Sequence, residues 1–144
     1  MPVLQCLIVD SKNIGVVLDS IHAIYEDGVR IFLLEGAIGL GKTFLVASYA
    51  RRLGLDGVSS PSFSFMQEYR GLDFCIHHYD FYLQDYEARQ WEFIESIGRP
   101  GVHFVEWGSL DMASRLAGLG FDSVLISLEE VPLGRSYEFR RFRS

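Results

Sequence analysis

The residues best suited to chemistry form one short segment, Gly36-Ala37-Ile38-Gly39-Leu40-Gly41-Lys42-Thr43. The segment matches the G-x-x-x-x-G-K-[ST] phosphate-binding loop at every fixed position. Its glycines allow a turn so tight that successive backbone N–H groups converge on phosphate oxygens. Lys42 supplies a cation for the outer phosphates, and the Thr43 hydroxyl is placed to ligate an accompanying magnesium ion. The segment therefore predicts binding of a nucleotide phosphate chain.

The flanking sequence predicts the elements that such a loop needs. Residues 30–35 form an apolar run without alternation, which is typical of a strand buried on both faces. Residues 43–53 lack glycine and proline and carry apolar side chains at helical spacing, and Gly54 ends the predicted helix. The free N–H groups and positive dipole end of that helix favour an anion. A chance match to the motif is therefore unexpected.

Two acidic residues follow other predicted strands. Glu106 comes directly after the apolar run 102–105, and Asp80 follows a predicted strand over 73–79. Either carboxylate could contact the metal or orient a nucleophilic water. The alternative is an ordinary acidic residue at a strand end for Glu106 and a cap or turn aspartate for Asp80. The adjacent His77 and His78 point to opposite faces of a strand, so we expect one of them to be buried and no paired metal ligation.

Other candidates have an equally simple alternative. Ser60 and Ser62 flank Pro61 and could sense a terminal phosphate, although serine and proline also suit a plain turn. Trp107 could stack on a nucleotide base or belong to the core. A group of arginines near the C-terminus could contact a partner or RNA, or simply protect a solvated edge strand: Arg135, Arg140, Arg141 and Arg143.

Length and charge restrict the class of protein. The chain has 144 residues and a formal net charge of −6. The length fits one domain of about 100–200 residues, expected to span 1–144. The acidic balance argues against a dedicated nucleic-acid binder. Apolar runs are far below the ~18 residues of a membrane span and the start lacks a signal-peptide pattern, so we expect a cytoplasmic protein. Cys6 and Cys75 fall in predicted strands and are expected to be buried free thiols without a zinc site.

The order of predicted elements indicates an α/β fold. Strands are expected near 6–9, 30–35, 63–69, 73–79, 102–105, 124–128 and 137–142. Helices are expected after Ser11, after the loop, over 85–97 and after Ser109, the first and last capped by those serines. The third helix is expected to pack through a face that includes Trp91 and Ile97. The prediction is a three-layer sandwich of the P-loop NTPase type, whose mixed sheet has a parallel centre and antiparallel edge strands.

Four motifs in order carry a resemblance to a known family. They are the loop, Ser60-Pro61-Ser62-Phe63, His78-Tyr79-Asp80-Phe81-Tyr82 and Glu106-Trp107. The chain from about residue 11 to residue 107 resembles the bacterial TsaE (YjeE) ATPases of tRNA threonylcarbamoyladenosine biosynthesis. The loop is generic, whereas the ordered set is specific.

The resemblance implies an ATPase that uses ATP and Mg²⁺, is weak alone and supports a complex of the TsaD–TsaB type. It implies contact with tRNA only through that complex, and none with DNA or a membrane. Asp80 and Glu106 would be catalytic, Thr43 and Glu106 would hold the metal, and Trp107 would lie near the base. The implied nucleotide-binding residues are Gly36, Ala37, Ile38, Gly39, Leu40, Gly41, Lys42, Thr43, Phe44, Ser62 and Trp107.

One departure from the family bears on catalysis. The family usually has arginine after Asp-x-Tyr, where this chain has Leu83, so a cation would be absent or drawn from elsewhere, such as Arg89. A small-molecule P-loop kinase is the main alternative function, but such enzymes need several arginines and a lid over the phosphates. A GTP switch is disfavoured because no Asn-Lys-x-Asp sequence follows the loop.

Overall fold

The computed structural model describes residues 3–59 and 65–144, which form a seven-stranded sheet with helices on both faces. The strands are β1 Val3–Val9, β2 Ile31–Glu35, β3 Met66–Arg70, β4 Cys75–Asp80, β5 Val102–Glu106, β6 Ser123–Val131 and β7 Gly134–Phe142. The helices are α1 Ile14–Glu26, α2 Lys42–Arg52, α3 Tyr86–Ile97 and α4 Leu110–Gly118, and a 3₁₀ turn, Ser11–Asn13, precedes α1.

The sheet has the order β1-β7-β6-β2-β5-β4-β3. The four central strands β6, β2, β5 and β4 are parallel, and β3 pairs antiparallel with β4 as the predicted hairpin. On the other side, β7 runs antiparallel to both β6 and β1. The predicted mixed sheet with a parallel centre and antiparallel edges is thereby confirmed.

The loop strand β2 shows why its sequence lacks alternation. Phe32 and Leu34 belong to the core cluster beneath α1 and α2, whereas Ile31 and Leu33 belong to the cluster beneath α3 and α4. All four are buried, since helices cover both faces of the strand. β2 ends at Glu35, so the loop begins at the centre of the sheet.

Side-chain caps precede the 3₁₀ turn, α3 and α4. The Ser109 hydroxyl accepts a hydrogen bond from the backbone N–H of Met112, as predicted for α4. The prediction that Ser11 caps the first helix is wrong: the Asp10 carboxylate accepts from the N–H of Lys12 and begins the 3₁₀ turn instead. A carboxylate one residue earlier supplies the acceptor that the turn needs.

Two predicted burial patterns are wrong. Trp91 is 76% exposed, because α3 packs through Phe93 and Ile97, and two residues along a helix turn the side chain by roughly 200°. Cys6 is exposed because it lies on the outer face of β1, while Cys75 is half-buried; both are free thiols. Strand propensity had placed Cys6 in a strand correctly but could not say which face was covered.

Three of the C-terminal arginines, Arg135, Arg140 and Arg141, lie on the interior strand β7 rather than on an edge strand. β7 is hydrogen-bonded on both sides, so the prediction of a solvated edge strand is wrong. Arg140 pairs with Glu138, and Arg141 pairs with Asp27 and Asp122. In the ranges that the structure describes, no helix is long and apolar enough to cross a membrane.

Candidate functional site

The phosphate-binding loop joins β2 to α2 at the carboxyl edge of the parallel strands, where ligands of open α/β sheets bind. Gly41 is the N-cap of α2. Its backbone φ is 96°, a left-handed conformation that residues other than glycine adopt only under strain. The Lys42 ammonium donates to the carbonyl oxygens of Gly36 and Ala37, at 2.8 and 3.0 Å. These two bonds hold the cation across the loop.

Thr43 and Glu106 meet although they lie far apart in sequence. The Thr43 hydroxyl is 2.9 Å from Oε1 and 2.8 Å from Oε2 of Glu106, and donates to this carboxylate. The contact arises because β5, which ends at Glu106, pairs directly with the loop strand β2. A hydroxyl and a carboxylate thereby share one point at the start of α2.

His78 holds the same carboxylate from the other side. Its Nε2 lies 2.6 Å from Oε2 of Glu106, and both side chains are buried. His78 Nδ1 has no hydrogen-bond partner among the described residues, so the ring is oriented by the bond to Glu106 and by packing against the Tyr69 ring, with centroids 6.3 Å apart. Among the described residues, Thr43 and His78 both position Glu106.

Asp80 lies beside Glu106, since the two residues pair across β4 and β5. Its Oδ1 accepts from the backbone N–H of Tyr82 at 2.9 Å, so the predicted turn role is real and coexists with a place in the site. Burial raises the pKa of Asp80, and the negative charge of Glu106 adds to this effect. Two neighbouring carboxylates favour a cation between or near them.

Lys42 is influenced by burial, by the nearby carboxylates and by the ring of Trp107. Burial lowers the pKa of Lys42, while the charges of Glu106 and Asp80 act in the opposite direction. The Lys42 Nζ lies 3.9 Å from the centre of the Trp107 ring, a cation–π contact. The Tyr82 ring stacks on Trp107 with centroids 4.9 Å apart. Trp107 thus covers the lysine that the loop presents.

Trp107 also has a strained backbone. Its φ is 65°, a region that costs a bulky residue about 1–3 kcal/mol. The strain places the indole over Lys42 directly after Glu106, which is the residue that contacts Thr43. Strain of this kind is commonly retained where a side chain must be held in a particular place.

These side chains line one cavity of about 380 Å³, which we call the loop cavity. Its lining residues are Ile38, Gly39, Gly41, Lys42, Thr43, Phe44, Asp80, Tyr82, Glu106 and Trp107. Both predicted acidic residues, the lysine, the threonine and the tryptophan therefore converge. The other loop residues, Gly36, Ala37 and Leu40, line a neighbouring cavity beside the end of β6.

The oxygen donors at the start of α2 fit a magnesium ion. Mg²⁺ prefers hydroxyl and carboxylate oxygens and is usually shared with substrate phosphates. The Thr43 hydroxyl and both Glu106 oxygens already lie within 3 Å of each other. Asp80 adds a second carboxylate at the rim of the same cavity.

Some predicted site residues are not placed here. Ser60 and Ser62 lie outside the described residues. Arg89 does not line the loop cavity; it contacts Glu92 and lies over the ring of Phe65. Arg89 therefore lies outside the loop cavity in this structure.

Sequence reasoning assigned no role to His78. As expected, His77 and His78 point to opposite faces, but both are buried. His77 Nε2 donates to the carbonyl of Pro100 at 2.9 Å, and its ring stacks on His103. In the strand pairing His77 is opposite His103, three residues before Glu106 on β5. The available signal was strand alternation, which puts His78 on the same face as Asp80.

A second cluster of ligand-type groups lies on the His77 face. Glu68, Cys75 and His77 place one potential ligand atom each within 4.8 Å of one another. The Glu68 carboxylate already pairs with Arg70, and burial raises the pKa of the Cys75 thiol, which disfavours a metal-binding thiolate. These contacts explain the cluster as local pairing.

Comparison with known proteins gives a consistent set of similarities. The family model described as "Threonylcarbamoyl adenosine biosynthesis protein TsaE" matches residues 10–132. The TsaE protein of Bacillus subtilis (strain 168) is 33% identical over 81 residues, covering 56% of this chain and 51% of that one. The TsaE protein of Nostoc sp. is 35% identical over 85 residues, 54% and 51% of the two chains. The TsaE protein of Rickettsia conorii is 39% identical over 83 residues, 56% and 47%.

The chain spans about half the length of the curated relatives it matches. A structural match extends further: a chain described as "Crystal structure of Bacillus subtilus YdiB" superposes with a TM-score of 0.63. The match covers 100% of this chain and 89% of the other at 18% sequence identity. At that identity the likeness shows the fold.

Proposed function

The chain belongs to the TsaE family of threonylcarbamoyl adenosine biosynthesis proteins, and on that premise we propose that it binds ATP with Mg²⁺ and hydrolyses it slowly. The hydrolysis serves tRNA threonylcarbamoyladenosine modification through a complex of the TsaD–TsaB type. One observation carries the proposal: Lys42, Thr43 and Glu106 meet at the phosphate-binding loop, with the Thr43 hydroxyl 2.8–2.9 Å from both carboxylate oxygens.

The residues of the loop cavity divide the work of phosphate binding. Backbone N–H groups of the loop and the N-terminus of α2 receive phosphate oxygens. Lys42 is held across the loop and neutralises charge on the outer phosphates. Thr43 and Glu106 would hold a magnesium ion, which would supply charge neutralisation to the phosphate chain. Asp80, with its pKa raised, stands where a carboxylate can accept a proton from an attacking water.

Slow turnover in isolation follows from the charges at hand. Lys42 is the one cationic side chain among the described residues that line the loop cavity. P-loop NTPases commonly need an additional arginine to stabilise the transferred phosphoryl group, and supplying one in trans raises the rate by about 10³–10⁵. Leu83 occupies the position where the family usually has arginine, and it is exposed. Stimulation by a partner is therefore the expected mode of action.

The partner is expected to be a protein assembly, with tRNA contacted only through it. The net charge of −6 disfavours direct binding of a polyanionic RNA. Exposed apolar side chains at the mouth of the loop cavity, Ile38 and Tyr82, offer contact area for a protein.

The test is Mg²⁺-dependent ATP hydrolysis with and without purified TsaD–TsaB from the same source. Lys42→Ala is the inactive reference and Lys12→Ala, which removes the chain's other lysine, is the matched control. We expect feeble turnover alone, stimulation by the partner, loss in Lys42→Ala and normal behaviour in Lys12→Ala. ATP binding without stimulation would contradict the partner assignment, and transfer of labelled phosphate to a small metabolite would favour the kinase alternative.

A further inference from the structure

Tyr69 lies beside the site although it does not line the loop cavity. It belongs to β3, the last strand of the sheet, and its pairing partner in β4 is Ile76. His78 follows two residues later on β4, so Tyr69 and His78 are diagonal neighbours on the same face of the hairpin. Their ring centroids are 6.3 Å apart with an interplanar angle of 38°, a separation typical of aromatic pairs. Tyr69 therefore packs against the histidine that holds Glu106.

The geometry of His78 leaves one rotation that a neighbour must restrict. The ring is fully buried, and within the described residues its one hydrogen bond joins Nε2 to Oε2 of Glu106 at 2.6 Å. A single hydrogen bond fixes one ring atom but lets the ring plane turn about the line of the bond. The Tyr69 ring packs against the imidazole and opposes this rotation. The angle at which His78 meets the carboxylate therefore depends on Tyr69.

Tyr69 is itself held at its other end. Its hydroxyl donates to the backbone carbonyl of Ser59 at 2.9 Å. Burial raises the pKa of Tyr69, and the negative charge of Glu106 acts in the same direction, while the bond to Ser59 opposes them. The hydroxyl therefore keeps its proton at neutral pH and remains a donor. The ring is thus fixed between the Ser59 backbone and His78.

Asp80, the other carboxylate of the loop cavity, has a separate attachment. Its backbone N–H donates to the carbonyl oxygen of Phe65 at 2.7 Å, and its carboxylate accepts from the N–H of Tyr82. Neither contact involves Tyr69. Loss of the Tyr69 ring should therefore change the placement of Glu106 and spare that of Asp80.

We propose that Tyr69 is a positioning residue that holds His78 against Glu106, with its hydroxyl anchored on Ser59. The proposal rests on the Mg²⁺-dependent hydrolysis proposed above and adds to that site a residue outside the loop cavity. Tyr69 acts through two contacts in series, its ring on His78 and the hydrogen bond from His78 to Glu106. Ser59 directly precedes Ser60, a candidate phosphate sensor in the sequence, so the series of contacts begins beside that candidate.

The first test is a double-mutant cycle that combines Tyr69→Leu with His78→Phe. Hydrolysis stimulated by purified TsaD–TsaB is titrated with Mg²⁺ for both single variants, the double variant and the unaltered protein, well below each Tm. We expect Tyr69→Leu to raise the Mg²⁺ concentration for half-maximal rate about 3–10-fold, the size of one aromatic pair, with ATP affinity unchanged. In the His78→Phe background, Tyr69→Leu should add no further change. Additive changes overturn the proposal, because they show that Tyr69 acts independently of His78.

Two control variants separate positioning from general packing. Tyr69→Phe keeps the ring and should restore most of the activity. Tyr25→Leu is the matched control, because Tyr25 is likewise half-buried against the core cluster beneath α1 and α2, and its ring lies 6.4 Å from that of His22. Tyr25→Leu should lower Tm without changing the Mg²⁺ requirement. An equal effect of Tyr25→Leu, or none of Tyr69→Leu, overturns the proposal. If Tyr69→Leu does not fold, Tyr69→Met takes its place, because its flexible side chain adapts to the space.

A second test needs neither nucleotide nor partner. Long-range ¹H–¹⁵N NMR spectra record the ring nitrogens of the chain's four histidines, and the His78 signals are those missing from His78→Phe. Nitrogen shifts respond mainly to protonation and hydrogen bonding, so they report the contact with Glu106 rather than the missing ring. We expect Tyr69→Leu to shift the Nε2 signal of His78, whereas Tyr69→Phe and Tyr25→Leu leave it in place.

An unchanged His78 signal in Tyr69→Leu overturns the proposal. If the signal shifts as expected but the unaltered protein shows no hydrolysis, the positioning of His78 by Tyr69 stands and the proposed function falls.

Discussion

Replacing His78 by phenylalanine tests whether the buried histidine positions Glu106. The ring is fully buried, and its Nε2–H donates across 2.6 Å to Glu106 Oε2, which is its one hydrogen bond within the described residues. Hydrogen bonds to charged groups contribute about 1.5–3 kcal/mol. At roughly 3 °C for each kcal/mol in a chain near this length, His78→Phe should lower Tm by about 5–9 °C.

The functional effect should exceed the effect on stability. Glu106 would keep the Thr43 hydroxyl but lose the partner that fixes its other side. Loss of such an outer partner typically costs about 10–100-fold in metal affinity or activity. We therefore expect partner-stimulated hydrolysis to fall by about that factor, with a raised Mg²⁺ requirement, while ATP binding through Lys42 is largely kept.

The adjacent histidine provides the control. His77 is also buried in β4, and its Nε2 hydrogen-bonds the carbonyl of Pro100 and lies 3.6 Å from the Cys75 sulfur, but it lies on the opposite face from Glu106. His77→Phe should lose about 0.5–1.5 kcal/mol of stability and keep normal hydrolysis. His78→Gln, whose amide nitrogen can replace Nε2, should recover part of the activity.

The assays are thermal unfolding and Mg²⁺ titration of hydrolysis in the presence of the partner complex, well below each Tm. Equal turnover by His78→Phe and His77→Phe, at equal fractions of folded protein, would refute the positioning role. His78 would then be a core residue that happens to contact Glu106.

Three further predictions address the loop, the metal ligand and the core. Gly41→Ala should lose about 1–2 kcal/mol of stability, because alanine is strained at φ of 96° and its Cβ displaces Arg135; urea unfolding measures the loss, and an unchanged midpoint would contradict it. Glu106→Gln should keep most ATP affinity and reduce Mg²⁺-dependent hydrolysis at least about 100-fold, and normal turnover would remove Glu106 from the site. Burial lowers the pKa of His103 from 6.5 to about 4, so on acidification the unfolded chain binds a proton before the folded protein does. The free energy of unfolding should therefore fall by about 2 kcal/mol between pH 7.5 and pH 5. His103→Gln should reduce this pH dependence, and urea unfolding at both pH values is the check.

Much of the fold follows from local sequence patterns. The run 30–35 without alternation predicted a central strand, and Phe32 and Leu33 indeed lie in the cores on opposite faces of the sheet. Errors arose where the pattern reports amphipathicity but not the covering element. Trp91 and Cys6 were predicted to be buried, and each lies on the uncovered side of a correctly predicted helix or strand.

The loop and its two acidic residues could be read from the sequence for a physical reason. Phosphate binding needs glycine conformations, a lysine and a hydroxyl at fixed spacing, and all of these are local to one turn. Acidic residues after buried strands are likewise recognisable, because the carboxyl ends of parallel strands share one edge of the sheet. The sequence therefore predicts Lys42, Asp80 and Glu106 as site residues, and all three line the loop cavity.

Strand order was decided only by the tertiary structure, because pairing energies between distant segments leave no local pattern. The pairing of β5 with β2 brings Glu106 to Thr43, and the pairing of β4 with β5 brings His78 to the same carboxylate. β7 was expected at an edge of the sheet but lies between β1 and β6. This position places Arg135 against Gly41 of the loop. The sequence by itself determined which groups could bind phosphate; the order of the strands decided which side chains surround them.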